Sequence, residues 1–100
     1  MPRSQVVLEK QPWEQLLLDF DFAGHFATDD PITTATILTP ERVGGGAVSV
    51  VVGSPAWSAQ RVQALFSAGA DGDRYLITCR AQNAYERVEL EGYLVVRERT

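Results

Sequence analysis

The sequence is poor in the side chains that carry most enzymatic and metal-binding chemistry. Its 100 residues include one cysteine, Cys79, and one histidine, His25. A single cysteine excludes an intrachain disulfide, and a structural zinc site needs three or four cysteine or histidine ligands. Cys79 and His25 are a conceivable nucleophilic pair. However, Cys79 falls on the predicted buried face of a strand, where a thiol is inert. We therefore expect no catalytic residue, no metal site and no cofactor.

Long apolar stretches are also missing. No apolar run approaches the ~20 residues that span a bilayer, and the N-terminal segment lacks the apolar region of a secretory signal. The net charge is −4, and the arginines near the C-terminus are interleaved with glutamates, as on a solvated face. Nucleic-acid affinity depends on clustered Lys and Arg. The sequence thus predicts neither a membrane nor a nucleic acid as a partner.

The composition favours one folded domain. Hydrophobic residues make up 45% of the chain and charged residues 22%, which is ordinary globular usage. A chain of this length buries roughly 60–70% of its unfolded surface, which suffices for one core. Residues 1–100 are therefore predicted to form a single domain. The two tryptophans, Trp13 and Trp57, are interpreted as packing residues rather than as platforms for stacked bases.

Apolar residues recur at every second position through most of the chain. Between Leu16 and Phe22 one face is apolar and the other carries aspartates, with Leu17 as the exception. The run from Tyr75 to Ala81 alternates in the same way. This period of two predicts β-strands and does not fit the three-and-four spacing of a helix. We predict seven strands, within residues 5–8, 13–22, 32–39, 47–53, 61–66, 75–82 and 88–96.

Seven short strands separated by turn signals are typical of an immunoglobulin-like or fibronectin III-like β-sandwich. We therefore predict an all-β sandwich of about seven strands, with a small Greek-key barrel as the structural alternative. Tyr75 opens the sixth strand after a glycine-containing turn. In such sandwiches a tyrosine at this place bonds its hydroxyl to backbone a few residues upstream while its ring fills the end of the core. We predict this role for Tyr75.

The segments between strands are rich in turn residues. The three glycines of residues 44–46 predict a flexible hairpin tip, and residues 54–57 predict a break. Gly92 is interpreted as a bulge or bend in the last strand. Aspartates in and near the turns offer oxygen ligands of the kind that calcium binds, but they lack an ordered spacing, and ordinary turn chemistry also explains them. They are Asp19, Asp21, Asp29, Asp30, Asp71 and Asp73.

Several apolar residues fall on the predicted solvent faces of the strands. Leu65, Leu76, Tyr93 and Val95 alternate with the residues of the core and share their faces with Arg, Gln and Glu. If neighbouring strands bring them together, they form an association surface. If the last strand lies at a sheet edge, a partner can also add a strand there. The alternative is that these four residues are isolated surface hydrophobes.

Three segments together resemble small immunoglobulin-like proteins of tailed bacteriophages and prophages, the fiber-tail adaptor or tail-associated proteins. In residues 16–37 the resemblance rests on an Asp–aromatic pair and spaced apolar residues: Asp21, Phe22, Phe26, Ile32 and Ile37. The second segment is the middle of the chain through residue 53. In residues 66–98 the resemblance rests on a turn–tyrosine–strand signature at Ser67, Gly69, Gly72, Tyr75, Thr78, Arg87 and Val96. The resemblance covers the chain from about residue 10 onward.

This resemblance implies a non-catalytic structural protein of a phage or prophage tail. Such a protein is made in the cytoplasm of the bacterial host, is located in the virion tail, and docks to other tail proteins, with copies of itself as a further partner class. The resemblance identifies no contact residues. Two alternatives stay open. An adhesive or carbohydrate-binding sandwich module predicts exposed aromatic residues along a groove, and a small enzyme would use Cys79 with His25.

Overall fold

The computed structural model describes residues 5–98, with side chains from residue 8 onward. Residues 1–4 and 99–100 lie outside the described residues. They belong to the predicted domain, and residues 1–4 begin the segment that is predicted to lack a secretory signal. The described part contains nine strands and no helix, and therefore no helix able to cross a membrane. In chain order the strands are β1 (Gln5–Lys10), β2 (Leu16–Asp21), β3 (Thr34–Ile37), β4 (Glu41–Arg42), β5 (Val50–Val52), β6 (Ala56–Ser58), β7 (Arg61–Ala68), β8 (Arg74–Gln82) and β9 (Arg87–Val96).

The strands form two sheets. The β8 sheet has the order β1-β9-β8-β3, with β4 also paired to β8. The β7 sheet has the order β2-β7-β5, with β6 also paired to β7. β1 runs parallel to β9, and the other pairs are antiparallel. Because β3 also approaches β6, the strands β3 to β6 form one side of the sandwich and β1 with β2 forms the other.

The sheets enclose one core because their inner faces are apolar at every second residue. The inward side chains of β8 and β9 pack against those of β2 and β7. The fully buried members of this core include Phe20, Phe22, Val62, Phe66, Tyr75, Ile77, Cys79, Leu94 and Val96. The burial of each large side chain contributes about 1.5–3 kcal/mol. The predicted all-β sandwich and its inner faces are confirmed. The orders β2-β7-β5 and β9-β8-β3 are compatible with an immunoglobulin-like arrangement.

Four local predictions are wrong. Residues 41–42 lie in the predicted turn and residues 56–57 in the predicted break, but they belong to the short strands β4 and β6, so the described chain has nine strands rather than about seven. The glycines 44–46 do not form a hairpin tip, because β4 and β5 belong to different sheets and this loop crosses between them. Of the two interpretations of Gly92, the bulge is wrong, since the β8–β9 register continues from Arg74↔Val95 to Gln82↔Arg87 without interruption, and the bend stays a prediction.

Tyr75 closes the end of the core, as predicted, but with a different partner. Its ring is fully buried, and its hydroxyl accepts a hydrogen bond from the backbone N–H of Ser49 at 3.1 Å. Ser49 lies 26 residues upstream, in the loop that crosses to β5, rather than a few residues away. The hydroxyl of Tyr75 also donates to Oδ2 of Asp73 at 2.6 Å. The tyrosine therefore ties the crossing loop to the start of β8.

Asp73 is the centre of this buried polar cluster. Its Oδ2 also accepts from the Ser49 hydroxyl (3.0 Å) and the Ala70 N–H (3.2 Å), while Oδ1 pairs with Arg42 Nη2 at 2.9 Å. The hydrogen bond from Tyr75 is the main factor that lowers the pKa of Asp73. The other two hydrogen bonds and the Arg42 charge act in the same direction, and they oppose the effect of burial. Asp73 is thus a buried carboxylate held in its charged form.

Candidate association surfaces

The structure separates the four residues predicted to form an association surface. Leu76 and Tyr93 are cross-strand partners on the outer face of the β8 sheet, and Val95 follows on the same face of β9. Leu65 lies on β7, on the outer face of the opposite sheet. The three residues of the β8 sheet are half-buried, whereas Leu65 is exposed. Two surfaces therefore replace the single predicted one.

The outer face of the β8 sheet is partly covered by charged neighbours. The guanidinium carbon of Arg74 lies 4.8 Å from the centre of the Tyr93 ring, within the range of a cation–π contact. Glu41 is the register partner of Leu76. β9 is not a sheet edge, because β1 pairs with it from Gln5↔Glu91 to Lys10↔Val96. The prediction of strand addition at β9 is therefore wrong.

The outer face of the β7 sheet carries an exposed apolar patch. Leu17 of β2 is the direct register partner of Leu65 on β7. Val51 of β5 pairs with Ser67, which places it diagonally across from Leu65, within reach of its side chain. We call these three residues the β7-sheet patch, and their exposed fractions are 51% for Leu17, 44% for Leu65 and 58% for Val51.

Two neighbours of the β7-sheet patch define its margins. The N–H of Gly53 donates to the Leu65 carbonyl at 2.8 Å, and Gly53 has no side chain to cover Leu65. Towards the other end of β2, Arg61 pairs with Asp19 (Nη1–Oδ2, 3.0 Å) and lies near Asp21 (Nη2–Oδ2, 3.6 Å). The patch is thus open on its β5 side and bordered by ion pairs along β2. An apolar patch with a polar rim is the usual anatomy of a protein–protein contact.

A second apolar feature is a cleft between the two sheets, on the side formed by β3 to β6. It measures about 390 Å³ and opens between the end of β3 and the strand β5. We call it the β3–β5 cleft. Its lining is aliphatic apart from one threonine and one glycine, and consists of Ile37, Leu38, Thr39, Pro40, Val48, Val50, Val52, Gly53 and Pro55.

The interpretation of both tryptophans as packing residues is wrong for Trp13. Trp13 lies in the turn between β1 and β2 with 95% of its surface exposed. Trp57 lies on β6 opposite the core residue Val62, but it is still 40% exposed because β6 lies at the sheet edge. The alternating pattern that identified the core gives no signal for a residue in a turn.

A comparison with known families decides the class of protein. The family model described as podophage GP4 fiber-tail adaptor protein gp77 matches residues 10–97. The chain belongs to this family. No curated protein and no solved structure matches it. The resemblance noted in the sequence is therefore confirmed, and the chain is a structural protein of the fiber-tail adaptor class.

The geometry of Cys79 gives this adaptor no thiolate nucleophile. Cys79 is fully buried beneath the β8 sheet, and burial raises the pKa of its thiol to about 12. A nucleophilic cysteine needs the opposite shift, because the thiolate is the reactive form. His25 lies in the loop after β2, where its N–H donates to the Phe22 carbonyl at 2.9 Å. The structure does not favour a catalytic Cys–His pair.

The aspartates of the adaptor mostly serve local structure. Asp21 accepts from the Ala23 N–H at 2.9 Å, Asp30 from the Thr28 hydroxyl at 2.7 Å, and Asp71 from the Glu98 N–H at 2.9 Å. Within residues 5–98, no three side chains of His, Cys, Asp or Glu converge on a point where a metal ion could sit. The turn interpretation explains the hydrogen bonds of Asp21 and Asp30, whereas Asp71 binds the backbone of a residue 27 positions later.

Proposed function

We propose that this chain joins tail components of a phage or prophage virion by protein–protein docking, with no catalytic step, and that residues 1–100 act as one domain. The observation that carries the proposal is the β7-sheet patch, together with membership of the fiber-tail adaptor family. Its partners are other tail proteins. Its place is the virion tail after synthesis in the host cytoplasm.

Exposure and rigidity both support docking at the β7-sheet patch. Leu17 and Leu65 stand on paired strands, so a partner meets a preformed surface and loses little conformational freedom on binding. Full burial of an exposed leucine or valine gains about 1.5–3 kcal/mol. About half of each side chain is still exposed, so roughly half of that gain remains available on binding. The patch is therefore suited to be the centre of an interface with a polar rim.

The three predicted residues of the β8 sheet are the second surface for the same function. Leu76, Tyr93 and Val95 are half-buried, and the guanidinium of Arg74 already lies over the Tyr93 ring. Less apolar surface remains to be covered there than on the β7-sheet patch. The adhesive alternative receives less support, because no aromatic ring lines the β3–β5 cleft or the 440 Å³ groove over β3, β8 and β9.

The experiment is incorporation of variants into phage particles. The double variant Leu17→Glu/Leu65→Glu is expressed in place of the wild-type chain, and purified particles are probed by immunoblot and by gold-labelled antibody in electron microscopy. We expect label on the tails with the wild-type chain and at least tenfold less label with the double variant. Tyr85→Glu is the matched control, since Tyr85 is exposed in the β8–β9 turn, outside both sheets.

The outcomes separate the family-level function from the surface. Absence of the wild-type chain from purified particles contradicts the tail function. Wild-type incorporation of the folded double variant contradicts docking at the β7-sheet patch. A selective loss with Val95→Glu then assigns docking to the β8 sheet. Circular dichroism and thermal unfolding of each purified variant confirm that it is folded.

A further inference from the structure

β2 forms an open edge of the β7 sheet. It pairs with β7 on one side, in a register from Leu16↔Phe66 to Asp21↔Arg61, and no strand of the described chain lies on its other side. A strand at a sheet edge presents unpaired N–H and C=O groups to which another chain can bond. The edge of β2 is therefore a place where a further strand can be added, unlike β9, which β1 covers.

The hydrogen-bond pattern shows which residues of β2 present these groups. The Phe22 N–H donates to the Gln60 carbonyl at 2.8 Å, so every second residue of β2 before Phe22 bonds across to β7. The N–H and C=O groups of the residues between them, Leu17, Asp19 and Asp21, point away from β7. Within residues 5–98, no hydrogen bond occupies these groups. Each of the three residues thus offers one donor and one acceptor along the edge.

β2 differs from the sheet edges on the opposite side of the sandwich. There Pro40 lies between β3 and β4, and Gly53 and Pro55 lie between β5 and β6, so both edges are broken into strands of two to four residues. Short strands and prolines are usual means by which a protein prevents strand addition. β2 has six residues with neither proline nor glycine. Its edge is therefore long enough to pair with an extended segment.

The β7-sheet patch is continuous with this edge. Leu17 belongs to both, since its side chain is exposed on the outer face and its backbone groups point to the edge. A strand added to β2 places the side chain opposite Leu17 on the same outer face, so an apolar residue there covers Leu17. The patch also distinguishes β2 from β1, the other unbroken edge strand, which belongs to the β8 sheet.

The charges of β2 select the chemistry of the added strand. Asp19 and Asp21 share the outer face with Leu17, and Arg61 is the cation beside both, at 3.0 and 3.6 Å. Two carboxylates against one guanidinium leave a net charge of −1. Asp19 Oδ1 is buried and has no hydrogen-bond partner among the described residues. Basic side chains opposite the two aspartates therefore complement the charge and supply donors where an acceptor lacks one.

The same charges disfavour a second copy of this chain as the occupant. Two antiparallel β2 strands overlap most fully in two registers, and both place Leu17 of one copy opposite an aspartate of the other, Asp19 or Asp21. The second register also places Asp19 opposite Asp19, and like charges directly opposite destabilise a strand pair. Each copy carries a net charge of −4. A segment with apolar and basic residues has none of these disadvantages.

We propose that an extended segment of another tail protein adds to β2 as a further strand of the β7 sheet, with an apolar residue opposite Leu17 and Lys or Arg opposite Asp19 and Asp21. The proposal rests on the docking function proposed above and names its mode. Backbone hydrogen bonds along β2 give the affinity, and the outward side chains give the specificity. The patch continues from this edge towards β5, so further parts of the partner cover Leu65 and Val51.

Paired substitutions separate strand addition from docking by side chains alone. Asp19→Pro removes the outward N–H, whereas Asp19→Ala removes the same carboxylate and keeps the N–H. Proline is tolerated on an edge strand where the missing N–H faces solvent, so the bonds to β7 remain. In phage particles probed with the labelled antibody, we expect at least tenfold less label with the proline variant than with the alanine variant. Leu17→Pro and Leu17→Ala are a second pair in case Asp19→Pro is unfolded.

A charge reversal tests the basic character of the partner. Asp21→Lys should lower the label on the tails at least tenfold, because it repels Lys or Arg on the added strand. Asp29→Lys is the matched control, since Asp29 is exposed in the loop between β2 and β3, and it should leave the label unchanged. Circular dichroism of each purified variant confirms that it is folded.

Hydrogen exchange of the purified, isotope-labelled chain tests the edge in the absence of a partner. The N–H groups of Leu17, Asp19 and Asp21 should exchange at least tenfold faster than those of Leu18 and Phe20, which bond to β7. Equal protection of both sets in the monomer would show that the chain itself covers this edge, and it would overturn the proposal.

The outcomes separate this inference from the proposed function. Equal label with folded Asp19→Pro and Asp19→Ala overturns strand addition, while a loss with Leu17→Glu/Leu65→Glu still supports docking at the patch. Wild-type label with Asp21→Lys overturns a basic partner. Dimers of the purified chain that Asp19→Pro abolishes assign the edge to a second copy and overturn the proposal. Absence of the wild-type chain from particles contradicts the tail function and this inference with it.

Discussion

The hydroxyl of Tyr75 donates a 2.6 Å hydrogen bond to the Asp73 carboxylate, two residues earlier in the chain. The same carboxylate pairs with Arg42 and accepts from Ser49, which lie before and after the glycine loop that crosses between the sheets. One buried carboxylate therefore joins the start of β8 to the loop that leads to β5. Such fully satisfied networks hold a unique arrangement of the chain because each lost partner leaves a buried polar group without a hydrogen bond.

Tyr75→Phe tests the tyrosine of this network. The ring still fills the core, but the Ser49 N–H and the Asp73 carboxylate each lose one hydrogen-bond partner. We expect the free energy of unfolding to fall by about 1–3 kcal/mol, measured by urea unfolding at pH 7. Tyr85→Phe is the control and should leave stability unchanged, since Tyr85 is exposed. Equal stability of the wild type and the Tyr75 variant would show that the network contributes nothing.

Asp73 gives the protein an acid-sensitive component of stability. Its pKa is lowered in the folded state, so folding favours the charged carboxylate. This contribution is fully present above the unfolded pKa of about 4 and is lost as the pH falls through the lowered native pKa. Asp73→Asn should be less stable than the wild type at pH 7. As the pH falls, it should not lose the stability that the charged Asp73 gives the wild type. Acid unfolding followed by circular dichroism measures both chains, and parallel pH profiles would contradict this role of Asp73.

Alternation in the sequence predicts the inner faces well because burial of one face requires it. The inward residues of β8, from Tyr75 to Ala81, follow the pattern without exception. The same pattern does not predict β4 and β6, since segments of two and three residues are too short to show a period. Their strand geometry comes from pairing with β8 and β7, which are distant in sequence.

The surfaces were harder to predict than the core. Alternation places Leu65 and Leu76 on the outer faces of their own strands, but it does not say which strands share a sheet. Val51 lies in an apolar run where neither face is polar, so its exposure had no signal. The burial of Lys10 depends on carbonyls of Gln11, Pro12 and Ala68, which only the folded chain brings together. Family membership, in contrast, was readable from spaced motifs.

Gly46→Ala and Gly44→Ala separate backbone strain from contact with Arg42. Both glycines have positive φ, 104° and 90°, so each alanine loses about 1–2 kcal/mol through its backbone. A Cβ at Gly46 would lie 2.7 Å from Arg42 Nη1, whereas a Cβ at Gly44 meets nothing within 4 Å. The first variant should displace the guanidinium from Asp73 and raise the pH of acid unfolding. The second variant should raise the midpoint less, through backbone strain alone, and identical midpoints in the two variants would contradict the role of Arg42.

Cys79 provides a chemical probe of whether the core opens. Its thiol is fully buried, and its pKa of about 12 leaves almost no thiolate at neutral pH. We expect iodoacetamide at pH 8 to leave the native chain unmodified over hours and to label it completely in 6 M guanidinium chloride, as measured by intact mass. Tyr75→Phe should be labelled faster than the wild type under native conditions, because a less stable core opens more often. Rapid and complete labelling of the native wild type would place Cys79 at the surface and would revive the catalytic alternative, so the same experiment tests the core and the structural role together.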